Sequence, residues 1–249
     1  MPGCADLAAQ HFPIRSIPLA VTQIDFERAP PLSFQKEPKM IKLYYSSGAC
    51  SLAPHIVLEE LGIAYEAVLV SLKDGEHKKA DFLKINPKAR VPVLNVDGKV
   101  LTENVAILTY LGGGYAERGL WPKETWKQAE ALSLMAWLAS SVHITFAGVI
   151  RAERYAGSAA AQEDVKATSR ALLEKYFADI EKLLTGKTFA LGGQYTVCDP
   201  YLLVFYRWGN RIGINMKERF PMWAKHAQRV ASRPTVKRVL EAEGIQIDG

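Results

Sequence analysis

Cysteine is scarce in this chain. The three present, Cys4, Cys50 and Cys198, are too few and too scattered for a disulfide framework or a zinc site, so a reducing, cytoplasmic setting is expected. Long apolar runs are lacking too: none approaches the roughly 18 residues that a membrane span requires, and no membrane partner is expected. Nor is there a strong excess of one charge. The net charge of +5 and pI near 9.0 suit an anionic ligand, nucleic acid or neither. What the chain does have is core material. With 249 residues, 49% of them hydrophobic, it holds one large domain or two small ones.

Proline is unevenly spread, with six of the 13 before residue 40, at Pro2, Pro13, Pro18, Pro30, Pro31 and Pro38. No apolar period there lasts long enough to make an element, so residues 1–39 read as a disordered, mobile extension. Arg15 and Pro18 break the only stretch that could serve as the core of a secretory signal. Met40 is followed at once by a strand, and an organelle-targeting leader or an extended translation start both fit.

The stretch Lys42–Leu61, KLYYSSGACSLAPHIVLEEL, sets the frame for the N-terminal half. Lys42–Ser46 is short and aromatic and leads into a Ser-Ser-Gly turn, as a strand does. Ile56, Val57 and Leu61 have helical spacing, Gly62 is a stop signal, and Pro54 fits only the first helical turn. Cys50 is therefore expected at or just before a helix N-terminus. A thiolate there is favoured by free N–H groups and the helix dipole, which predicts a lowered pKa and a reactive cysteine. The alternative is a buried structural cysteine at a turn.

Tyr65–Val70 reads as a second strand, parallel to the first through a right-handed crossover. After the polar run Lys73–Lys79, a short helix with Phe82, Leu83 and Ile85 ends at Asn86-Pro87. Val91–Val96 and Lys99–Leu101 flank Asp97-Gly98, a type I′ hairpin signal. Pro92 argues against an ordinary central strand and is compatible with a cis peptide. From Glu103 the spacing of Val105, Ile107, Leu108 and Leu111 is helical, to Gly112–Gly114. The order is β-α-β-α-β-β-α.

The segments YYSSGACS, FLKINPKARVPVL and LTENVAILTYL resemble, in order and spacing, the cytosolic glutathione transferase superfamily, closest to its bacterial beta class. The resemblance runs from Met40 to the C-terminus. It implies an α/β thioredoxin-like N-terminal domain over 40–115, which binds glutathione, then a linker at 116–123 and an all-α substrate-binding domain over 124–249. The residues agree, since no strand signal follows Pro122. Glu124–Ile150 and Ala161–Leu184 are long helical patterns, the second with Val165, Leu172, Tyr176, Ile180, Leu183 and Leu184 as its expected buried stripe. Thr196–Asp199 fits a capping box with Thr196 as cap, and Pro221 and Pro234 mark two last helices.

Ser51 to Ala53 offer no second thiol for a Cys-x-x-Cys pair, so an oxidised Cys50 pairs only with an external one. The resemblance assigns that role to glutathione, in a mixed disulfide, and makes Ser51 and Tyr45 fallback donors to the glutathione thiol. Glu103 and Asn104 stand at a helix start, where N–H groups bind a carboxylate and Glu103 pairs with an ammonium. Without the resemblance, a capping acid is the simpler account. The family usually has Ser or Gly where this chain has Asn104. Val91, before Pro92, is implied to bind the cysteinyl backbone of glutathione edge-on. His77-Lys78 match the pair that plant and insect relatives use for the glycine carboxylate, while Lys73 matches the beta-class lysine. A solvated loop is the alternative for both. His143 matches a beta-class histidine that faces the cysteine across the cleft, with Ile144 and Ala136 departing from the pattern around it. Cys198 reads as a small core residue.

Between Arg207 and Arg238 lie nine Lys or Arg residues and one acid, Glu218, at helical spacing without a stacking platform. A solvated helical face is expected, not nucleic acid. The implied function is conjugation of glutathione, as co-substrate, to small apolar electrophiles by a homodimer without a metal, a chemistry of detoxification. A glutathione-dependent thiol reductase or isomerase and a non-enzymatic, transcription-associated binding protein are the alternatives on the same scaffold.

Removing residues 1–39 is expected to leave folding and glutathione binding intact. In thermal denaturation the midpoint should fall by less than about 4 °C, since a larger fall means more than roughly 1 to 2 kcal/mol of missed contact.

Overall fold

The computed structural model describes residues 40–248, so the proline-rich stretch expected to be a mobile extension, and Cys4 with it, lie outside the described residues. Strand β1 (Ile41–Tyr45) leads through α1 (Leu52–Leu61) to β2 (Glu66–Leu69). Then come α2 (Ala80–Ile85), β3 (Val93–Val96), β4 (Lys99–Thr102) and α3 (Asn104–Gly114). The sheet order is β2-β1-β3-β4, with β1 parallel to β2 and antiparallel to β3. This is the thioredoxin-like arrangement expected. Crossover and hairpin fall where the sequence places them: Asp97 and Gly98 both take positive φ, as a type I′ turn requires.

Pro92 needs a correction. Its strand is interior, paired with β1 on one side and β4 on the other. Proline is tolerated because it sits one residue before the ladder begins, at a cis Val91–Pro92 peptide, where no ladder N–H is needed.

Helix α1 is buried along most of its length, including Leu52, Ile56, Val57, Leu58 and Leu61. It packs against α3 and against two helices of the second half, α7 (Cys198–Arg211) and α10 (Pro234–Glu243). One core cluster runs through both domains, from Leu43 and Ile56 to Leu203 and Trp223. At about 25 cal/mol per Å² of apolar surface removed from water, such shared burial makes the two domains one cooperative body.

The second domain is all-α. Helix α4 (Thr125–Trp137) continues through a wide π-type turn, Leu138–Val142, into α5 (His143–Ile150), as the single long helical pattern predicts. By length and composition this is the one helix among the described residues apolar enough to cross a membrane, which corrects the expectation that no apolar run approaches that length: Ala131 to Ile150 carries no Asp, Glu, Lys or Arg. Its Leu134, Met135, Leu138, Val142 and Phe146 fill the core of the domain. Helix α6 (Ala159–Leu184) buries Ile180 and Leu184 of the expected stripe and packs Tyr176 and Leu183 against the core, but Leu172 is exposed and Leu173 and Phe177 are buried instead. Apolar pairs cause the ambiguity: Leu172-Leu173, Tyr176-Phe177 and Leu183-Leu184 offer two adjacent columns. Packing selects the one with Phe177, whose ring meets Trp223 at 5.1 Å and Phe220 at 5.8 Å.

Asp199 reaches back to the Thr196 N–H at 2.7 Å and accepts the Ala190 N–H at 2.7 Å. That is the acid half of the expected capping box. The other half differs, because the Thr196 hydroxyl donates to Asp199 and the helix begins at Cys198. Cys198 is fully buried, as expected of a core residue. Helices α8 (Met216–Arg219) and α9 (Pro221–Ala231) precede α10, with prolines at the starts of α9 and α10 as predicted. Several cations of the basic stretch are used internally: Arg219 pairs with Glu174, Arg229 donates to the Thr188 carbonyl, and Arg233 and Arg238 pair with Glu60 and Glu59 of α1.

Glu243, at the end of α10, is buried with its carboxylate on His55 Nδ1 at 2.7 Å and on the Gly48 N–H at 2.8 Å. Removing one member strands the others in a site closed to water. Glu243→Ala is expected to cost about 3 kcal/mol, or roughly 6 to 12 °C in thermal denaturation. Glu243→Gln, which keeps the shape and one acceptor, should cost less.

Candidate active site

The turn between β1 and α1 carries Cys50. It is closed by the Ser51 hydroxyl, which accepts the Ser46 N–H at 3.1 Å and donates to the Ser46 carbonyl at 3.2 Å. Ser51 is fully buried and its one proton is committed to Ser46, so it is not free to donate to a ligand thiol, contrary to expectation. Tyr45 packs beside this turn. Its ring lies on His55 at 4.8 Å, and burial and the Glu243 charge raise its pKa. Gly48 has φ +65, and a Cβ built there would come within 2.6 Å of the Arg207 guanidinium, so glycine is favoured and a larger residue would displace Arg207. Its N–H goes to Glu243, and its carbonyl accepts Trp208 Nε1 at 2.9 Å.

Cys50 is partly accessible, with its Sγ 3.6 Å from the Val91 carbonyl, to which the thiol donates. Asn104 Nδ2 donates to the Cys50 carbonyl at 3.0 Å. The expected thiolate is not supported. Burial pushes the thiol up to about 12, outweighing the lowering by its own N–H, by Asn104 and by the Arg151 charge. The reason the helix terminus does not compensate is local: the first N–H groups are already bonded, Leu52 to Ala49 and Ala53 to Cys50, and the sulfur faces a carbonyl oxygen that repels negative charge.

The residues expected beside Cys50 converge on this turn. Val91 presents its carbonyl next to the sulfur. Glu103 opens α3 with φ 74, in the left-handed region where a non-glycine residue is strained. Its carboxylate meets Lys88 Nζ at 3.0 Å at the surface. Asn104, whose side-chain role the family pattern leaves open, ties α3 to the Cys50 backbone, while its buried Oδ1 has no partner among the described residues. His77 and Lys78 lie in a short 3-10 turn, Glu76–Lys78. His77 Nδ1 is buried without a partner among the described residues, and burial and the charges of Lys78, Arg151 and Arg154 lower its pKa. Lys73 is exposed in the preceding turn.

His143 follows the π-type turn at the start of α5, half-buried, with Trp208 at 5.0 Å and Phe205 at 6.1 Å edge-on. Burial, then Arg90, Arg151 and Arg154, lower its pKa to about 4, so at neutral pH it is an uncharged ring with one N–H. Two residues here escape sequence reasoning. Tyr201 of α7 lies within electrostatic reach of Cys50 and Glu103 and beside the Asn104 amide, and Arg151, just after α5, acts on Cys50. Tyr201 stands in an apolar run that reads as core, and Arg151 in one of several Arg-Glu-rich turns. Neither carries a motif.

Residues 39–113 match the model of the glutathione S-transferase N-terminal domain, and 136–234 that of the glutathione S-transferase C-terminal domain. Glutathione S-transferase GstA of Escherichia coli O157:H7 is 34% identical over 209 residues, which cover 83% of this chain and 100% of that one. A Sulfitobacter glutathione transferase homologue, solved with bound glutathione, superposes with a TM-score of 0.78 at 31% identity, over 83% of this chain and 99% of its own. The bacterial beta class glutathione S-transferase of Sphingomonas chungbukensis does so with a TM-score of 0.73 at 34% identity, over 82% and 100%.

With its pKa raised to about 12, Cys50 is almost wholly protonated at pH 7, whereas a free cysteine near ~8.5 has a few per cent thiolate. Alkylation by iodoacetamide, followed on the Cys50 peptide by mass spectrometry, should be at least ~100-fold slower than that of free cysteine. It should rise about tenfold per unit from pH 7 to 9, with no plateau. A plateau below pH 8 would mean that burial is not the dominant effect.

Proposed function

The chain belongs to the glutathione S-transferase family, and on that premise we propose that it binds glutathione on its thioredoxin-like domain and conjugates it to an electrophile in the cleft facing the helical domain. The γ-glutamyl end is placed at α3, its ammonium on Glu103 and its carboxylate on the free N–H groups of the helix start. The cysteinyl backbone runs edge-on along Val91, as the carbonyl free of the sheet ladder allows. The glycine carboxylate goes to His77-Lys78 ahead of Lys73. The buried, unpartnered Nδ1 of His77 supports that choice, since a polar atom withdrawn from water without a partner is costly unless a ligand supplies one.

The reaction joins the glutathione sulfur to an electrophilic carbon while the leaving group departs and the thiol proton passes to solvent. The protein's part is to hold the sulfur and stabilise it as thiolate. The observation that carries this reading is the protonated Cys50 thiol on Val91. When the glutathione backbone takes the Val91 carbonyl, that S–H can turn to the glutathione sulfur, with the neutral His143 as a second donor. Thiol exchange, by contrast, needs Cys50 as thiolate, and burial disfavours that. A mixed disulfide on Cys50 is accordingly a slow side reaction. Exposed Val100 and Tyr110 on the first domain and Trp126 and Leu132 on the second support a homodimer, to be checked by light scattering.

Purified protein should be retained on immobilised glutathione and turn over 1-chloro-2,4-dinitrobenzene. Cys50→Ala should keep turnover within about a hundredfold, because removal of one hydrogen-bond donor costs roughly 10² in rate. Glu103→Ala should lose affinity for glutathione. Neither retention nor turnover in the wild type would overturn the reading. Exchange with a mixed-disulfide substrate that outpaces conjugation and vanishes in Cys50→Ala would replace it with the reductase.

A further inference from the structure

The polypeptide leaves α5 through a tight 3-10 turn, Ala152–Arg154, closed by the Arg154 N–H on the Arg151 carbonyl at 3.0 Å. Arg151, just before the turn, and Arg154, at its end, are close enough for each charge to act on the other. They are cations without an anion: among the described residues neither side chain makes a hydrogen bond or an ion pair. The charged groups that act on Arg151 are Arg154 and Arg211, one acid, Glu153, and Cys50. The ring of His143 feels Arg90, Arg151 and Arg154 against a single acid, Glu103, which is itself paired with Lys88. Arg151 is half-buried, and a guanidinium does not escape by losing its proton. Two unpaired cations side by side, one of them partly desolvated, cost stability that a bound anion would return. Apolar surface is at hand. Ile144 is exposed on the turn of helix after His143, and Tyr155 folds back to it, donating to the Ile144 carbonyl at 3.4 Å.

We propose that the electrophile is an organic anion, an aromatic or unsaturated carboxylate whose apolar body lies along α5 and whose carboxylate is received by Arg151 with Arg154 beside it. This deepens the transferase reading and rests on it. Arg151 is then a specificity-determining residue; its charge reaches Cys50 and His143 but also His77, so the glycine carboxylate is the competing anion that the test separates.

The test uses two aryl chlorides of nearly equal shape, 4-chloro-3,5-dinitrobenzoate and 4-chloro-3,5-dinitrobenzamide. In each, the glutathione sulfur bonds to the ring carbon as chloride leaves and the thiol proton goes to buffer. After division by the uncatalysed rates, the wild type should favour the carboxylate in kcat/KM by at least about tenfold, the scale of one charge-assisted pair. Arg151→Gln should reduce that ratio to about one, and Arg151→Lys should keep part of it. The two S-aryl glutathione conjugates, titrated by calorimetry, should show the same preference in binding, independent of turnover. Turnover of both substrates with no preference would overturn the proposal alone. So would a rise in the KM for glutathione with both electrophiles in Arg151→Gln, since Arg151 would then serve the glycine carboxylate. No turnover and no binding of either conjugate would overturn the transferase reading and the proposal together.

Discussion

Gly48 is held by side chains that all come from the helical domain: Glu243 on its N–H, Trp208 on its carbonyl, and Arg207 packed where a Cβ would be. The geometry around Cys50 depends on this clamp. The turn has only two residues between Gly48 and the helix cap, so fixing Gly48 fixes where the cysteine backbone lies. Trp208 also meets His143 and stacks on Phe146 at 4.7 Å, so one indole sets the spacing between the thioredoxin-like turn and α5. Positioning the two walls of the cleft is therefore a matter of a few buried contacts rather than of a linker.

Within the cleft, burial and the positive field oppose each other at Cys50 and act together on His143. Burial raises the Cys50 thiol and depresses His143, leaving both neutral and both hydrogen-bond donors. The arginines around them create a positive field without a fixed counter-charge. Such a site does not generate a thiolate from its own cysteine. It is suited to an incoming thiol that ionises under donors and positive field, the transferase chemistry proposed.

The sequence carries the architecture well, because the signals are local. Asp97-Gly98 specifies its hairpin, Gly62 and Pro54 bracket α1, and Pro221 and Pro234 open the last helices. Pro92 and the neighbours of Cys50 mark the turn region through three short segments. What is not legible depends on tertiary partners. The stripe of α6 keeps Ile180 and Leu184 but takes Leu173 and Phe177 in place of Leu172, because paired apolar residues leave two faces possible until Trp223 selects one. The low thiol pKa expected of a helix terminus is not supported, because burial by residues distant in the chain outweighs the lowering by the local N–H group and by Asn104. Glu243, Tyr201 and Arg151 reach the site from distant parts of the chain, in segments whose composition reads as ordinary cap, core and loop.

The clamp on Gly48 also bears on the order in which the parts become available during synthesis. A nascent chain that has already released the whole sheet and α1 to α3 still lacks Trp208 and Glu243, the groups that hold the turn of Cys50. Until α10 has emerged, the Gly48 N–H is open to water and the cysteine is unconstrained, so an isolated first domain presents the right residues in the wrong degree of order. The order of the Cys50 turn is then acquired late and from the far end of the chain.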